Sequence, residues 1–165
     1  MINRALLVAA AGLALLAPLA SAQSKTSHKD WPKINGDLKM HKQDQDGELR
    51  ATKVNKHNEL LGGHGDDVIT AGNVGDVLWG DYKPGGQPES QSDQIFGGPA
   101  KDFIYGSHGK NEIHTGGGND QIHVHFGHGD VYCEGAKPTV FISHKNRPNY
   151  KLHGCKRISY KTGRG

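Results

Sequence analysis

After its first two dozen residues this 165-residue chain has no apolar run long enough to cross a bilayer. The mature chain is therefore expected to be soluble. Helical periodicity is missing over the same stretch, which leaves short strands and turns as the expected elements. Only two cysteines are present, Cys133 and Cys155. They lie too far apart for a redox or metal motif, and an exported chain with two cysteines most simply carries one disulfide. Signatures of catalysis are lacking as well. Ser107, Ser143 and Ser159 have no GxSxG context, and neither HExxH nor a P-loop occurs, so no enzymatic activity is expected. Acids are absent from residues 142–165, which hold seven Lys and Arg, whereas residues 62–141 hold eleven Asp and Glu against four Lys. The net charge of +3 conceals this asymmetry. An acidic middle suits bound cations, and a basic tail is either a solvated face or a contact for an anionic polymer or cell surface.

Glycine, by contrast, is abundant and placed in a period of nine. In register the chain reads GGHGDDVIT (62–70), AGNVGDVLW (71–79), GGPAKDFIY (97–105), GSHGKNEIH (106–114) and TGGGNDQIH (115–123). Asp67, Asp76, Asp102, Asn111 and Asp120 hold the sixth place, and Ile69, Leu78, Ile104, Ile113 and Ile122 the eighth. KVNKHNELL (53–61) is a degenerate first coil with Asn58 and Leu60 in those places. The coil opened by Gly80 is stretched by KPGGQPESQ (83–91) before Asp93-Gln94-Ile95 restores register. That insertion is expected in a loop, because it leaves the strand positions untouched. A one-residue slip near Val124 is expected to place Asp130 sixth and Tyr132 eighth in HFGHGDVYC (125–133), and Thr139 in the acid's place in EGAKPTVFI (134–142).

The organisation follows. Residues 1–22 have the form of an export signal: Arg4, an apolar stretch from Ala5 to Ala17, then Ala20-Ser21-Ala22, with cleavage expected after about Ala22 and a secreted product. Residues 23–57 are a polar leader and amino-terminal cap, 58–142 the repeat body, and 143–165 a basic carboxy-terminal cap tied back by Cys133–Cys155. Out-in-out alternation after each glycine turn predicts short parallel strands. With two nonapeptides per turn, alternate coils stack in two sheets. One collects the repeats beginning at 62, 80, 106 and 125; the other collects those at 53, 71, 97, 115 and 134.

A column of single inward aliphatics makes a narrow core, and ordering so many glycines is unfavourable. An ion that binds only the folded chain adds the missing stability. Turn carbonyls and sixth-place carboxylates form an all-oxygen donor set, which favours calcium over magnesium's tighter octahedron. Ions would sit between neighbouring turns, those of Asp76, Asp102 and Asp120 on one side and of Asp67, Asp93, Asn111 and Asp130 on the other. The first side keeps all three acids and lacks the insertion, so it is expected to bind better, with fewer ions than turns.

This register resembles the repeats-in-toxin, or hemolysin-type, calcium-binding nonapeptide family over residues 58–142. The resemblance implies an all-β, right-handed parallel β-roll or β-helix, secretion, and several calcium ions held by Asp67, Asp76, Asp93, Asp102, Asp120 and Asp130 with nearby carbonyls. The whole chain is also similar to small secreted actinobacterial calcium-binding proteins through LLGGHG (60–65), WGDYKPGGQP (79–88), HTGGG (114–118) and FISHK (141–145). It departs from the toxins in having an amino-terminal signal and no separate enzyme domain.

Two further constellations stand out. His114, His123, His125, His128, His144 and His153 cluster late in the chain, and imidazole suits zinc or copper, but their frame positions assemble no three-ligand set. On the second sheet the ninth places stack Trp79, Tyr105, His123 and Ile142, with Val77, Phe103, Gln121 and Val140 at the seventh. That stripe suits an extracellular glycan or cell-wall partner, unless residues 35–57 or 143–160 cover it. A glycan-acting enzyme on a β-helix is the remaining alternative. No nucleic-acid partner is expected.

Overall fold

The computed structural model describes residues 30–41, 44–82 and 86–161. The export signal expected over 1–22 and the start of the polar leader lie outside them. Among the described residues the chain forms thirteen strands: β1 (Leu38–Met40), β2 (Gly47–Arg50), β3 (Glu59–Leu61), β4 (Asp67–Thr70), β5 (Val77–Trp79), β6 (Ser92–Phe96), β7 (Phe103–Tyr105), β8 (Lys110–His114), β9 (Gln121–His123), β10 (His128–Tyr132), β11 (Thr139–Phe141), β12 (Tyr150–His153) and β13 (Arg157–Ser159). Odd-numbered strands stack in one sheet in the order β1-β3-β5-β7-β9-β11-β13, and even-numbered strands in the other. Every pairing is parallel. The architecture is an all-β parallel solenoid of about six turns, with alternate nonapeptides in opposite sheets as the period requires.

The core lies between the sheets as two facing columns. Leu60, Leu78, Ile104, Ile122 and Val140 are paired rung to rung on one side, and Leu49, Ile69, Ile95, Ile113 and Val131 on the other. All but Leu49 are fully buried. β-Branched side chains fit such a column because their stiff rotamers pack on a pleated surface.

The expected slip near Val124 does not occur. Val131 pairs with Ile113 and Val140 with Ile122, so Tyr132 and Phe141 are ninth-place residues facing out. The inward column accepts aliphatics, and valine fills it where an aromatic ring would not. Unbroken counting then puts Gly129 opposite Asn111, moves Asp130 and Thr139 to the seventh place, and leaves Pro138 in the sixth.

The roll also runs past 58–142 at both ends. β1 and β2 precede β3 as further rungs, and β12 and β13 follow β11. At the first rung the inward position falls to Lys39, opposite Leu60. Its ammonium reaches Thr52 Oγ1 at 3.2 Å and Asp37 at 3.4 Å, so a polar group closes that end of the core. At the other end Cys133 and Cys155 form the disulfide and pack against the core. Closing this loop stabilises the chain by roughly 3 kcal/mol on the chain-entropy account.

Candidate metal centre

The turns between the sheets bring the sixth-place residues into two buried columns. On the edge leading into the odd strands, each backbone N–H donates to the carboxylate or amide of the next rung. Asp37 donates to Asn58 Oδ1 at 2.7 Å, Asn58 to Asp76 Oδ1 at 2.6 Å, Asp76 to Asp102 Oδ1 at 2.7 Å, and Asp102 to Asp120 Oδ1 at 2.8 Å. The second oxygens of Asp76 and Asp102 accept from Gly72 and Gly98 within their own turns, both at 2.6 Å. The ladder ends at Asp120, because Pro138 offers neither an N–H nor a carboxylate. Asp120 Oδ2 is buried with no hydrogen-bond partner.

The other column is Gly47, Asp67, Asp93, Asn111, Gly129 and Tyr150. Asp67 N donates to Asp93 Oδ1 at 3.1 Å. Asp93 Oδ2 accepts from the Ser107 hydroxyl, which also reaches Asn111 Oδ1 at 2.8 Å. The Asn111 amide donates to the Tyr150 hydroxyl at 3.0 Å, and that hydroxyl donates to the Phe126 carbonyl at 2.9 Å. Tyr150 thus plugs the column with a neutral group. At the opposite end both carboxylate oxygens of Asp67 are buried and accept no hydrogen bond, with the His41 ring 3.7 Å from Oδ1.

Burial sets the electrostatics. Loss of solvent raises the carboxyl of Asp67 to about 6, and those of Asp93, Asp102 and Asp120 to about 7. Neighbouring carboxylates push Asp67, Asp93 and Asp102 further in the same direction. A charged oxygen held away from water without a partner is unfavourable, and a proton or a bound cation relieves it.

Asp130 is not part of this arrangement. It lies in the outward seventh row opposite Glu112 and accepts a 2.7 Å hydrogen bond from His153. That contact, first among several, holds its carboxyl below the usual range. Conversely, the nine-residue frame did not point to Asp81, Ser107 or Tyr150. Asp81 is buried, its carboxyl raised by loss of solvent, and it accepts from the Gln91 amide and from His108 N at 3.0 Å. It falls in the second place of the coil interrupted by the insertion, where the period carries no signal.

The donor chemistry fits a hard cation. Carboxylate and amide oxygens predominate in both columns, the orphaned oxygens of Asp67 and Asp120 have acceptor capacity to spare, and backbone carbonyls crowd the same turns. A Cβ added at Gly62 would run into the Gly80 carbonyl and the Asp67 carboxylate. One added at Gly116 would meet the Gly97 and Gly98 carbonyls, and φ there is +72°, which favours glycine. Neither column takes more than one acid from any rung, and among the described residues no three His, Cys, Asp or Glu side chains converge on one metal position. An ion in these turns would draw most of its ligands from carbonyls and only one or two from carboxylates, a donor set suited to calcium.

The late histidines do not converge either. His114 stacks between Phe96 and Tyr132, His153 lies on Tyr132, and His144 on Tyr160. His123 lies between Tyr105 and Phe141, so the aromatic stripe is Trp79–Tyr105–His123–Phe141, with Phe141 where Ile142 was expected and Thr139 where Val140 was expected. Trp31 covers its upper part, with its ring 5.8 Å from those of Trp79 and Tyr105 and 6.4 Å from Phe103. Its indole N–H donates to the Tyr105 hydroxyl at 2.9 Å. Trp79 and Phe103 are consequently buried. From Trp79 to His123 the rings turn their faces to one another, so none of these three offers a ring face for a sugar to stack on.

A comparison with curated proteins gives no match, and no solved structure matches. The family model of the RTX calcium-binding nonapeptide repeat matches residues 55–81 and 89–122 in four copies, a span that takes in Asp67, Asp76, Asp93, Asp102, Asn111 and Asp120 and stops short of Asp130. Within the solenoid, residues 55–122 therefore carry repeats that match the RTX calcium-binding nonapeptide model.

Proposed function

We propose that the chain is a secreted, non-catalytic protein whose roll is stapled rung to rung by calcium, serving as a structural or surface-binding module outside the cell. The observation that carries the reading is the buried carboxylate column inside a matched calcium repeat, with both oxygens of Asp67 and Oδ2 of Asp120 left without a partner. Asp67 with Asp93, and Asp102 with Asp120, would hold ions together with the turn carbonyls beside them. Asp76 precedes Asp102 in the second of these ladders. The ion supplies positive charge where the fold has gathered buried negative charge, so binding and folding are coupled. Export is supported by the apolar leader at 5–17 and by the disulfide, since millimolar calcium and an oxidising milieu occur together outside cells.

Circular dichroism and thermal melting of the calcium-free chain, titrated with calcium and separately with magnesium, test this. Calcium at roughly 0.1–1 mM should restore β-structure and raise the melting temperature, and magnesium should do far less. Identical spectra and melting points with and without calcium would refute the proposal.

A further inference from the structure

We infer that a groove on the outer face of the odd-strand sheet, towards its carboxy-terminal end, binds an acidic polysaccharide in which charged sugars alternate with neutral ones. The groove has a volume of about 440 Å³. One wall is formed by Lys101, Asn119 and Lys137, each two residues before the strand positions Phe103, Gln121 and Thr139 that stack rung on rung. The floor continues that stack through Gln121, Thr139 and Arg157. Among the described residues no carboxylate lines the groove, and none lies within ion-pair distance of Lys101, Lys137 or Arg157. Lys101 Nζ sits 4.6 Å above the Phe103 ring, which holds the ammonium at the head of the groove.

Spacing selects the occupant. Parallel strands lie about 4.8 Å apart, so Lys101 and Lys137 are about 10 Å apart along the axis, with the neutral amide of Asn119 between them. Gln121 and Thr139 offer an amide and a hydroxyl beside the cations, partners suited to sugar hydroxyls. An extended acidic peptide repeats its same-side groups at about 7 Å, out of step with these charges. A single-stranded nucleic acid would need exposed ring faces for its bases, whereas Phe141 of the groove stacks on His123 at 4.7 Å.

The site shares no residue with the carboxylate columns, so its failure and that of the calcium reading are distinguishable. The experiment is calorimetric titration of the calcium-loaded chain with hyaluronan, in which glucuronate alternates with a neutral sugar, against neutral dextran and polyglutamate. Hyaluronan should bind, with affinity falling as salt is added, dextran should not, and polyglutamate should bind more weakly. Lys101→Gln, Lys137→Gln and Arg157→Gln should each weaken hyaluronan binding about threefold and together about thirtyfold, as expected of exposed ion pairs. All three side chains are exposed, so dichroism should not change; calcium affinity should not change in Lys137→Gln or Arg157→Gln, whereas Lys101, whose charge lowers the Asp120 carboxyl, is scored on hyaluronan alone. A folded, calcium-binding chain that ignores hyaluronan, a triple variant that binds it unchanged, or equal binding of polyglutamate or dextran would each overturn the inference.

Discussion

Asp102 donates its backbone N–H to Oδ1 of Asp120 one rung along, at 2.8 Å, so each carboxylate of this column doubles as a backbone acceptor for its neighbour. The contact ties rungs together even without an ion, but it also holds the carboxyls out of water. Burial raises Asp102 and Asp120 to about 7, as it does Asp93 in the other column, against about 6 for Asp67.

The sign of the resulting pH dependence follows directly. In the unfolded chain these carboxyls lose their protons near 4, and in the fold they keep them to about 6 or 7. Their stabilising effect is complete below the unfolded value and disappears as pH rises through the folded one. The calcium-free chain should therefore melt on the order of 10 °C lower at pH 8 than at pH 4.5. Calcium should close most of that gap. Melting curves at fixed ionic strength check both, and a calcium-free melting point that is flat or rising across this interval would contradict the burial argument.

Asp67 gives a sharper contrast, because neither of its buried oxygens accepts a hydrogen bond. Asp67→Asn removes the charge while keeping the shape. At pH 8 the calcium-free variant should be more stable than the parent by about 1–2 kcal/mol, the scale of a buried unpaired polar group, yet it should bind calcium more weakly. Chemical denaturation paired with calcium titration separates the two effects. A variant that loses stability without calcium would show that the carboxylate has a partner in the fold.

The sequence carried the architecture further than it carried the site. Period nine alone assigned alternate repeats to opposite sheets, because a glycine turn followed by one inward aliphatic has few other ways to bury that side chain. Past residue 123 the glycines thin out and acids no longer mark the sixth place, so aligning on Asp130 displaced the frame by one. Val131 and Val140 resolve it, since the inward column takes β-branched aliphatics and rejects Tyr132 and Phe141. What stayed illegible has no period at all. Trp31 lies 48 residues from Trp79 along the chain, and Tyr150 reaches Asn111 across 39. Contacts of that kind arise from how the coils close up, and no local pattern announces them.

Asp130 tests the corrected frame. Its carboxylate faces out beside His153 and Glu112, so Asp130→Ala should leave calcium affinity unchanged. Asp102→Ala should lower it by about tenfold or more, the scale of losing one charged ligand contact. Asn111→Ala should fall between them in affinity while costing about 1–3 kcal/mol of stability, because it strands the Ser107 N–H and removes the amide that donates to the Tyr150 hydroxyl. Calcium titrations of the three variants give the order, and a large loss in the Asp130 variant would restore the displaced frame.

Trp31 decides what the aromatic stripe is for. Its ring packs edge-on to Trp79 and its indole N–H bonds Tyr105, so the Trp79–Tyr105 part of the stripe is covered by the chain's own amino-terminal segment rather than held open for a ligand. Trp31→Ala should expose Trp79 and Phe103 and lower stability by about 1–3 kcal/mol, since Trp31 is only partly buried and less than a full core truncation is lost. The fluorescence of the remaining Trp79 should shift to the red as water reaches it. Hyaluronan affinity should change little, because Lys137, Arg157 and the groove floor lie further along the same sheet and only Lys101 leans on Phe103. Stability equal to the parent's would mean that the Trp31 cover adds nothing to the fold. A gain in glycan affinity on uncovering the rings would instead mark the segment as a lid over a sugar-binding face.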